Sequence, residues 1–319
     1  MPIIIKGNFA TFKPDGRISR IWKSFTLITS AVLLVIAMFI SNCLQIIICP
    51  FVLISRPFVS ALNSYFAGSM WLLCQHMFEQ QNGVRIQVTG MEAIPKDNES
   101  ALVISNHCSF LDFCMVHSVS MRRGMIGNCR YFSKDSIKYM PFFGWGMYLA
   151  GFIFLKRNWA IDQGHINSTF ETLVNNRLPV HLISYLEGTR VNKKKLDESH
   201  EYAAKNNLPR LEYTLLPRSK GFAASVKGLR KSHINHVYDL TIAYYHHKRG
   251  FGATPSLADY LLGRLNEYQF RVHVDRYSMD DDLPENDAEI AKWLVKLYES
   301  KNSLLAQWKS EWDTQWKRN

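Results

Sequence analysis

The most apolar part of the chain lies near its start, in two stretches without charge at residues 24–55 and 57–78. At the helical rise of about 1.5 Å per residue, the first stretch alone exceeds a bilayer core of roughly 30 Å. Pro50 and Pro57 interrupt the apolar run. The pattern predicts that residues 24–80 insert into a membrane, either as two passes or as a re-entrant helical hairpin. A pair of buried core helices is the soluble alternative.

Beyond residue 80 the pattern changes to short apolar segments that alternate with helical ones. Such alternation is typical of an α/β fold, here a largely parallel mixed sheet flanked by helices. We divide this part into a main domain, residues 81–250, and a C-terminal extension, residues 251–319. The predicted strands are 85–89, 101–105, 130–133, 151–155, 181–186, 213–216, 239–244 and 270–274, and helices are predicted at 110–121, 160–176 and 219–230.

Large apolar residues recur every four positions in the extension, at Leu304, Trp308, Trp312 and Trp316. This spacing predicts a Trp-rich amphipathic helix. Trp and Lys together are typical of a membrane interface, whereas the same pattern also suits a helix that packs back on the domain. The sequence leaves these two interpretations open.

The formal net charge of +11 indicates an anionic partner, such as nucleic acid, a membrane surface or a phosphorylated substrate. The concentrated apolar run argues against nucleic acid. By the positive-inside rule the basic segment 1–23 should stay in the cytosol, and two passes or a hairpin would return the main domain there. Sequons at 98–100 and 167–169 should then be unused. The six cysteines form no C-x-x-C pair, so we expect free thiols, with no disulfide and no metal site.

The first candidate chemistry is at the end of the predicted strand 101–105. His107 lies at the turn that follows, and Asp112 lies on the first turn of the next predicted helix, for which Ser109 is the expected N-cap. A carboxylate paired with the imidazole would fix its tautomer and stabilise the cation that forms when the ring takes a proton. The alternative is that Asp112 only caps the helix. Spacing alone does not decide between these two roles.

Polar and cationic residues also follow three other predicted strands, at Lys134, at Arg157 and at 187–190. The carboxyl ends of parallel strands meet at one edge of a sheet, where ligands bind, so these residues should lie near the histidine. Gly188 permits a sharp turn, and Arg190 offers a bidentate fork suited to phosphate. Glu187 could hold that arginine or bind an acceptor hydroxyl. Solvated surface charges are the alternative.

Two Pro-containing segments complete the pattern. Residues 141–146, with the sequence Pro-Phe-Phe-Gly-Trp-Gly, are typical of a tight apolar surface turn that could face acyl chains, or of ordinary loop packing. Pro217 ends the predicted strand 213–216 and precedes a helix for which Ser219 is the expected N-cap.

With these segments in place, the chain resembles the lysophospholipid and glycerophosphate acyltransferase superfamily. The family's N-H-x4-D, G-x-x-F-x-x-R, E-G-T-R and Pro-containing blocks stand in order as Asn106-His107…Asp112, Gly151…Phe154…Arg157, Glu187-Gly188-Thr189-Arg190 and Leu216-Pro217-Arg218. The resemblance covers about residues 20–310 and points to the eukaryotic branch of lysophosphatidate, lysocardiolipin and lysophosphatidylinositol acyltransferases. Two departures are Leu155-Lys156 in the second block and the absence of the Pro that often precedes the Glu of the third.

The resemblance implies the glycerolipid acyltransferase fold, and transfer of an acyl group from acyl-CoA to the free glycerol hydroxyl of a lysophospholipid. It implies His107 as general base and Asp112 as its partner, with direct transfer, no metal and no cofactor beyond acyl-CoA as co-substrate. It implies that substrate is bound by Arg157, Glu187, Gly188, Thr189 and Arg190, with Pro217 shaping the fourth block and Lys134 as a weaker phosphate or CoA ligand. By family analogy we expect the endoplasmic reticulum membrane with a cytosolic catalytic domain, and a hairpin is also compatible with lipid droplets.

Three alternatives remain at this stage. Cys108 next to the histidine raises an acyl-enzyme mechanism, although adjacent residues on a turn rarely point together. A thioesterase could use the same dyad to activate water. A non-catalytic membrane-shaping or lipid-binding protein would need neither His107 nor Asp112. The sequence does not set the acceptor headgroup, the acyl length or the oligomeric state.

Overall fold

The computed structural model of the protein describes residues 16–316, so most of the basic segment 1–23 lies outside the described residues. The helices are α1 (Arg17–Ile48), α2 (Arg56–His76), α3 (Asp112–Met121), α4 (Phe143–Leu149), α5 (Trp159–Asn175), α6 (Lys193–Lys205), α7 (Ser219–Leu229), α8 (Leu257–Leu261) and α9 (Asp287–Trp316). The strands are β1 (Ile86–Thr89), β2 (Ala101–Ser105), β3 (Cys129–Lys134), β4 (Ile153–Leu155), β5 (His181–Tyr185), β6 (His236–His246), β7 (Gly250–Phe251) and β8 (Tyr268–Ser278).

A mixed, largely parallel sheet with the order β1-β8-β6-β2-β5-β3-β4 forms the centre of the fold. Strands β6, β2, β5, β3 and β4 run parallel to one another, whereas β8 is antiparallel to β6 and parallel to β1. The short β7 pairs with the end of β6. The predicted α/β class is therefore confirmed. The predicted extension contributes β8 to the same sheet.

Strand β2 shows why the sheet is covered on both faces. All five of its residues are buried. Ala101 and Val103 belong to a core with α2 and α3, whereas Leu102 and Ile104 belong to a second core with α5, α7 and α9. An apolar run without polar alternation is what a strand buried on both faces requires.

Helix α1 is the candidate membrane anchor. Within the described part of the chain, one helical segment is long and apolar enough to cross a membrane. This segment, Ile18–Leu53, consists of α1 and the turn that follows it. Its most apolar window is only 17% buried. Helix α2 reverses direction after the turn at 49–53 and packs on the domain through Trp71 and Gln75. The two helices are therefore not equivalent, because α2 has one face committed to the domain.

Polar residues inside the apolar run explain how α1 is held. Asn42 and Gln45 are buried, and Gln45 Nε2 donates to the side chain of Asn63 on α2 at 3.0 Å and to the carbonyl oxygen of Gly146 at 3.4 Å. Near the other end of α1, the Ser24 hydroxyl donates to the carbonyl oxygen of Leu262 at 3.1 Å. The polar positions thus mark the side of α1 that faces the protein.

One predicted strand and two predicted caps were wrong. Residues 213–216 form no strand, because their backbone is held by side chains. The N–H of Tyr213 donates to Asn302 of α9, and that of Leu216 donates to Ser199 of α6. Helix α3 begins at Asp112 with Leu111 before it, and α7 begins at Ser219, so neither Ser109 nor Ser219 is an N-cap.

Helix α9 packs against the sheet, which decides between the two interpretations of its Trp residues. Trp308 and Trp312 are 1% and 2% exposed and pack in one cluster with Tyr245 of β6. Two turns before Trp308, the Lys301 ammonium lies 2.6 Å from the Asp239 carboxylate of β6, and both are buried. The helix is therefore an integral layer of the domain, and its Trp308 and Trp312 are unavailable to a membrane.

Candidate active site

His107 and Asp112 form a pair at the carboxyl end of β2. The ring Nδ1 lies 2.7 Å from Asp112 Oδ2, and the same oxygen accepts the backbone N–H groups of Cys108 at 2.7 Å and Ser109 at 3.0 Å. The other carboxylate oxygen accepts the hydroxyl of Tyr244 at 2.6 Å. Because Asp112 acts as an acceptor, Nδ1 carries a proton and Nε2 is left to accept one.

Burial differs between the two partners. The Asp112 side chain is 1% exposed, whereas that of His107 is 22% exposed. The carboxylate is thus held inside the protein while the ring reaches the surface. The geometry confirms the prediction that these two residues meet. Asp112 does more than bind backbone N–H groups at the start of the helix, because the same carboxylate oxygen also binds the imidazole.

Tyr185, the last residue of β5, lies against the His107 ring. Its ring is nearly parallel to that of His107, with centroids 4.2 Å apart and an interplanar angle of 15°. This stacking limits rotation of the imidazole. Neither Tyr185 nor Tyr244 was predicted as a site residue, because each reaches the pair from a different strand.

The loop that carries His107 is tied to two neighbouring segments. The Asn106 amide makes a pair of hydrogen bonds with the backbone of Ile242 on β6, at 2.9 and 2.8 Å. The His107 carbonyl oxygen accepts the N–H of Val191 at 2.8 Å, and its N–H donates to Glu187 Oε1 at 3.3 Å. The Asn of the N-H-x4-D block therefore serves to fix the loop.

Glu187 lies beneath this loop rather than at the surface. It is 3% exposed, and its carboxyl also accepts the backbone N–H of Leu215. Burial raises its pKa well above the ordinary range, and Oε2 has no partner within the described residues. The carboxyl is therefore directed at backbone N–H groups rather than at Arg190. A substrate-binding role for it stays a prediction.

The predicted cations line the same edge of the sheet. Lys134 ends β3, Arg157 follows β4 and Arg190 follows β5, and all three are exposed. These strands are parallel neighbours on one side of β2, so the cations flank His107 on that side. Such a row of cations beside a proton acceptor can bind phosphate groups.

Arg157 is presented by a strained turn. Its φ is +64°, in the region that favours glycine. The Asp162 carboxylate of α5 accepts the N–H groups on both sides of it, those of Lys156 at 2.9 Å and Asn158 at 3.1 Å. Asp162 thus holds the arginine in place, and sequence reasoning missed it because its partners are backbone groups.

The remaining residues of the third and fourth blocks form the turn beside Glu187. Gly188 has a φ of +69°, and a Cβ there would lie 3.0 Å from Nε of Arg218. A glycine at this position therefore allows the Arg218 side chain to pack over the backbone. Thr189 and Pro217 are half-buried in the same turn region, where the N–H of Arg218 donates to the carbonyl oxygen of Leu186 at 2.8 Å.

The thiol of Cys108 is unsuited to nucleophilic attack. It accepts a hydrogen bond from Asn106 Nδ2 at 3.2 Å and points toward the carbonyl oxygen of Ile242 on β6. Burial raises the pKa of this thiol well above its ordinary value, which disfavours the reactive thiolate. The geometry therefore argues against an acyl-enzyme formed on Cys108.

One group of metal-ligand type lies at the end of β6, where His246, His247 and Glu267 come together. His246 Nδ1 accepts the backbone N–H groups of Lys248 and Arg249, so its proton is on Nε2, which faces Glu267 Oε2 at 3.3 Å. These hydrogen bonds order the turn after β6. Because Nε2 of His246 carries a proton and faces Glu267, it is not available to bind a cation.

A family model described as acyltransferase matches residues 85–245, and one described as acyltransferase C-terminus matches residues 260–316. The chain belongs to the acyltransferase family. The first match includes all four blocks of the site, and the second includes β8 and the whole of α9.

Curated members of the acyltransferase family agree with this assignment. The chain is 32% identical to 1-acyl-sn-glycerol-3-phosphate acyltransferase 3 of Arabidopsis thaliana over 87% of this chain and 72% of that protein. It is 30% identical to 1-acyl-sn-glycerol-3-phosphate acyltransferase epsilon of Mus musculus, over 72% of this chain and 63% of that one. The matched region thus spans about two thirds of these relatives.

A solved structure also matches the chain. The lysophosphatidate acyltransferase PlsC of Thermotoga maritima matches 86% of this chain and 95% of its own, with 17% identity and a TM-score of 0.45.

Proposed function

We propose that the protein is an acyl-CoA-dependent acyltransferase that esterifies the free glycerol hydroxyl of a lysophospholipid, with lysophosphatidate as the first candidate acceptor. The observation that carries the proposal is the His107–Asp112 pair at 2.7 Å, with the half-buried ring reaching the surface at the edge where Arg157 and Arg190 lie. The relatives named as 1-acyl-sn-glycerol-3-phosphate acyltransferases support this acceptor. Lysophosphatidylinositol and lysocardiolipin offer the same phosphate and hydroxyl groups.

The proposed chemistry is general-base catalysis by His107. Nε2 takes the proton of the acceptor hydroxyl as that oxygen attacks the carbonyl carbon of the thioester. Collapse of the tetrahedral intermediate breaks the C–S bond, and the thiolate of CoA recovers the proton from the imidazolium. Asp112 orients the ring and stabilises its cation, and the hydroxyl of Tyr244 fixes Asp112 in turn.

The acceptor phosphate is assigned to the cations beside His107. Arg190 and Arg157 can each donate two parallel hydrogen bonds to phosphate oxygens, and Lys134 offers a further charge for phosphate or CoA. Binding there would leave the glycerol hydroxyl near Nε2, because β2, β5 and β4 end at the same edge.

We further propose that α1 is a re-entrant anchor seated in one leaflet. The helix contacts the domain near its start through Ser24 and near its end through Gln45, and Ser30 accepts from Gln81 at 2.8 Å between them. A helix bound to the domain at both ends cannot cross a bilayer that leaves the domain in water. Free cysteines and the net charge support a cytosolic domain, and the endoplasmic reticulum or lipid droplets are the proposed locations.

The test is acyl transfer by membranes containing the protein, with labelled oleoyl-CoA and a panel of lysophospholipids, and with His107→Ala as the matched variant. Transfer to one headgroup that the variant loses supports both reaction and substrate. Release of labelled fatty acid without any acceptor would instead identify a thioesterase. Turnover that is the same in both proteins, or absent with every acceptor, would refute the proposed enzyme.

A further inference from the structure

Exposed apolar side chains form a second cluster besides those on α1 and α2. In the described part of the chain, seven large apolar side chains beyond residue 80 are exposed, and four of them lie within residues 139–148. These four are Tyr139, Met140, Trp145 and Tyr148, which are 68%, 51%, 46% and 64% exposed. The other three lie singly at Ile161, Tyr202 and Leu257, as is usual on a protein surface. These four residues therefore need a separate explanation. We call residues 139–148, which include most of the short helix α4, the aromatic turn.

The aromatic turn is continuous with the exposed surface of α1. The ring of Phe142 meets that of Phe39 edge-on, with centroids 5.5 Å apart, and Gly146 accepts the hydrogen bond from Gln45. Phe39 is itself 52% exposed, and its helical neighbour Ile36 is 50% exposed. The apolar face of the candidate anchor thus extends onto the aromatic turn.

Local structure holds the turn in this arrangement. Phe142 has a φ of +63°, a strained value for a residue with a side chain, and its ring is fixed between Phe39 and Trp145. The Lys138 ammonium lies 5.0 Å from the centre of the Tyr139 ring and 2.6 Å from the Asp135 carboxylate. Exposed Tyr and Trp side chains next to a Lys are typical of a bilayer interface, where amphipathic rings sit between headgroups and acyl chains.

The turn also connects two strands that deliver site residues. It begins after β3, which ends at Lys134, and leads into β4, which is followed by Arg157. Contact between this turn and lipid would place the carboxyl edge of the sheet beside the membrane surface, where both proposed substrates reside.

We propose that the aromatic turn is a second membrane contact of the catalytic domain, inserted at the interface of the same lipid bilayer that holds α1. The inference rests on the proposed anchoring by α1 and adds a contact made by the domain itself. A bilayer is the favoured partner of the aromatic turn because the exposed apolar surface of the turn is continuous with that of α1. A protein partner would have to cover the turn and leave the adjoining face of the helix to lipid.

Site-specific photo-crosslinking tests this contact without relying on activity. The full chain would carry benzoylphenylalanine in place of Trp145 or Tyr148, in vesicles of phosphatidylcholine and phosphatidylserine with labelled acyl chains. Ile36 of α1 is the matched position that reports on the anchor, and Tyr202 of α6, which is 57% exposed, is the matched position away from it. All four positions are exposed, so the substitutions leave the core intact.

We expect labelled lipid on positions 36, 145 and 148 at several times the yield at position 202. Labelling at 36 with yields at 145 and 148 no higher than at 202 would overturn the second contact and keep the anchor. A cross-link from 145 or 148 to a second copy of the chain would overturn it in favour of a protein interface. Absence of lipid at 36 as well would overturn the anchor on which the inference rests.

Discussion

Glu187 offers the sharpest test of how the site is assembled, because its positioning role and its predicted substrate-binding role require different chemistry. Holding the His107 loop requires only an oxygen that accepts the His107 N–H, 3.3 Å away. Glu187→Gln keeps that oxygen and Glu187→Ala removes it. Leaving a buried N–H without a partner costs about 1–3 kcal/mol. If Glu187→Ala misplaces the His107 ring and this cost adds to the free energy of activation, kcat falls on the order of 10- to 100-fold.

The same pair of variants has a signature in stability. The pKa of Glu187 is raised in the folded protein, so above the ordinary value of 4.5 the unfolded chain releases a proton that the folded chain retains. The free energy of unfolding of the wild type therefore falls, by about 1.4 kcal/mol per pH unit at most, until the folded pKa is reached. The free energy of unfolding of Glu187→Gln lacks this pH dependence. The variant should therefore gain no stability over the wild type below pH 4.5 and should become increasingly more stable than the wild type toward neutral pH.

The measurements are steady-state acyl transfer with lysophosphatidate and oleoyl-CoA, and unfolding in detergent micelles across that pH range. We expect Glu187→Gln to retain most of kcat and Glu187→Ala to lose it. If Glu187→Gln is as inactive as Glu187→Ala while both stay folded, the negative charge is needed and the positioning argument fails. A wild-type stability that rises with pH relative to Glu187→Gln would show that the sign of the pKa shift is wrong.

Other predictions follow from the site geometry. Cys108→Ala should keep nearly full activity in the transfer assay, since the thiol is buried and protonated; an inactive but folded variant would restore the acyl-enzyme mechanism. Tyr244→Phe removes the 2.6 Å hydrogen bond to Asp112, and kcat should fall about tenfold, as expected for a hydrogen bond to a charged group; unchanged kcat would mean that Asp112 needs no third support. Arg157→Gly and Arg157→Ala should both raise KM for the acceptor, but the glycine variant should be more stable by about 1 kcal/mol because φ is +64°; equal melting temperatures would argue against strain there.

Site residues that lie close together along the chain could be predicted from the sequence. His107 and Asp112 are five residues apart on one strand-to-helix turn, so a single motif defines the pair. The supports of the pair could not be found in this way. Asn106 binds Ile242 and Asp112 binds Tyr244, across 136 and 132 residues, and no periodicity connects such positions.

The fold shows the same division. Strand β2 was predicted residue for residue because a strand buried on both faces is a short apolar run. Residues 213–216 have the same apolar character, but their N–H groups are taken by Asn302 and Ser199 instead of a neighbouring strand. Helix α6 escaped prediction for the opposite reason: most of its residues are polar or charged and only Ala203 is buried, so no apolar run marks it.

The contacts of α1 have a consequence for the order of events during synthesis. Asn42 and Gln45 leave the ribosome about a hundred residues before Gly146, the carbonyl to which Gln45 donates, and more than two hundred before Leu262 binds Ser24. As the proposed anchor, the helix would enter lipid with these amides satisfied only by each other and, soon afterwards, by Asn63. Docking of the finished domain onto a helix already in the leaflet would then be a late, separate step of maturation.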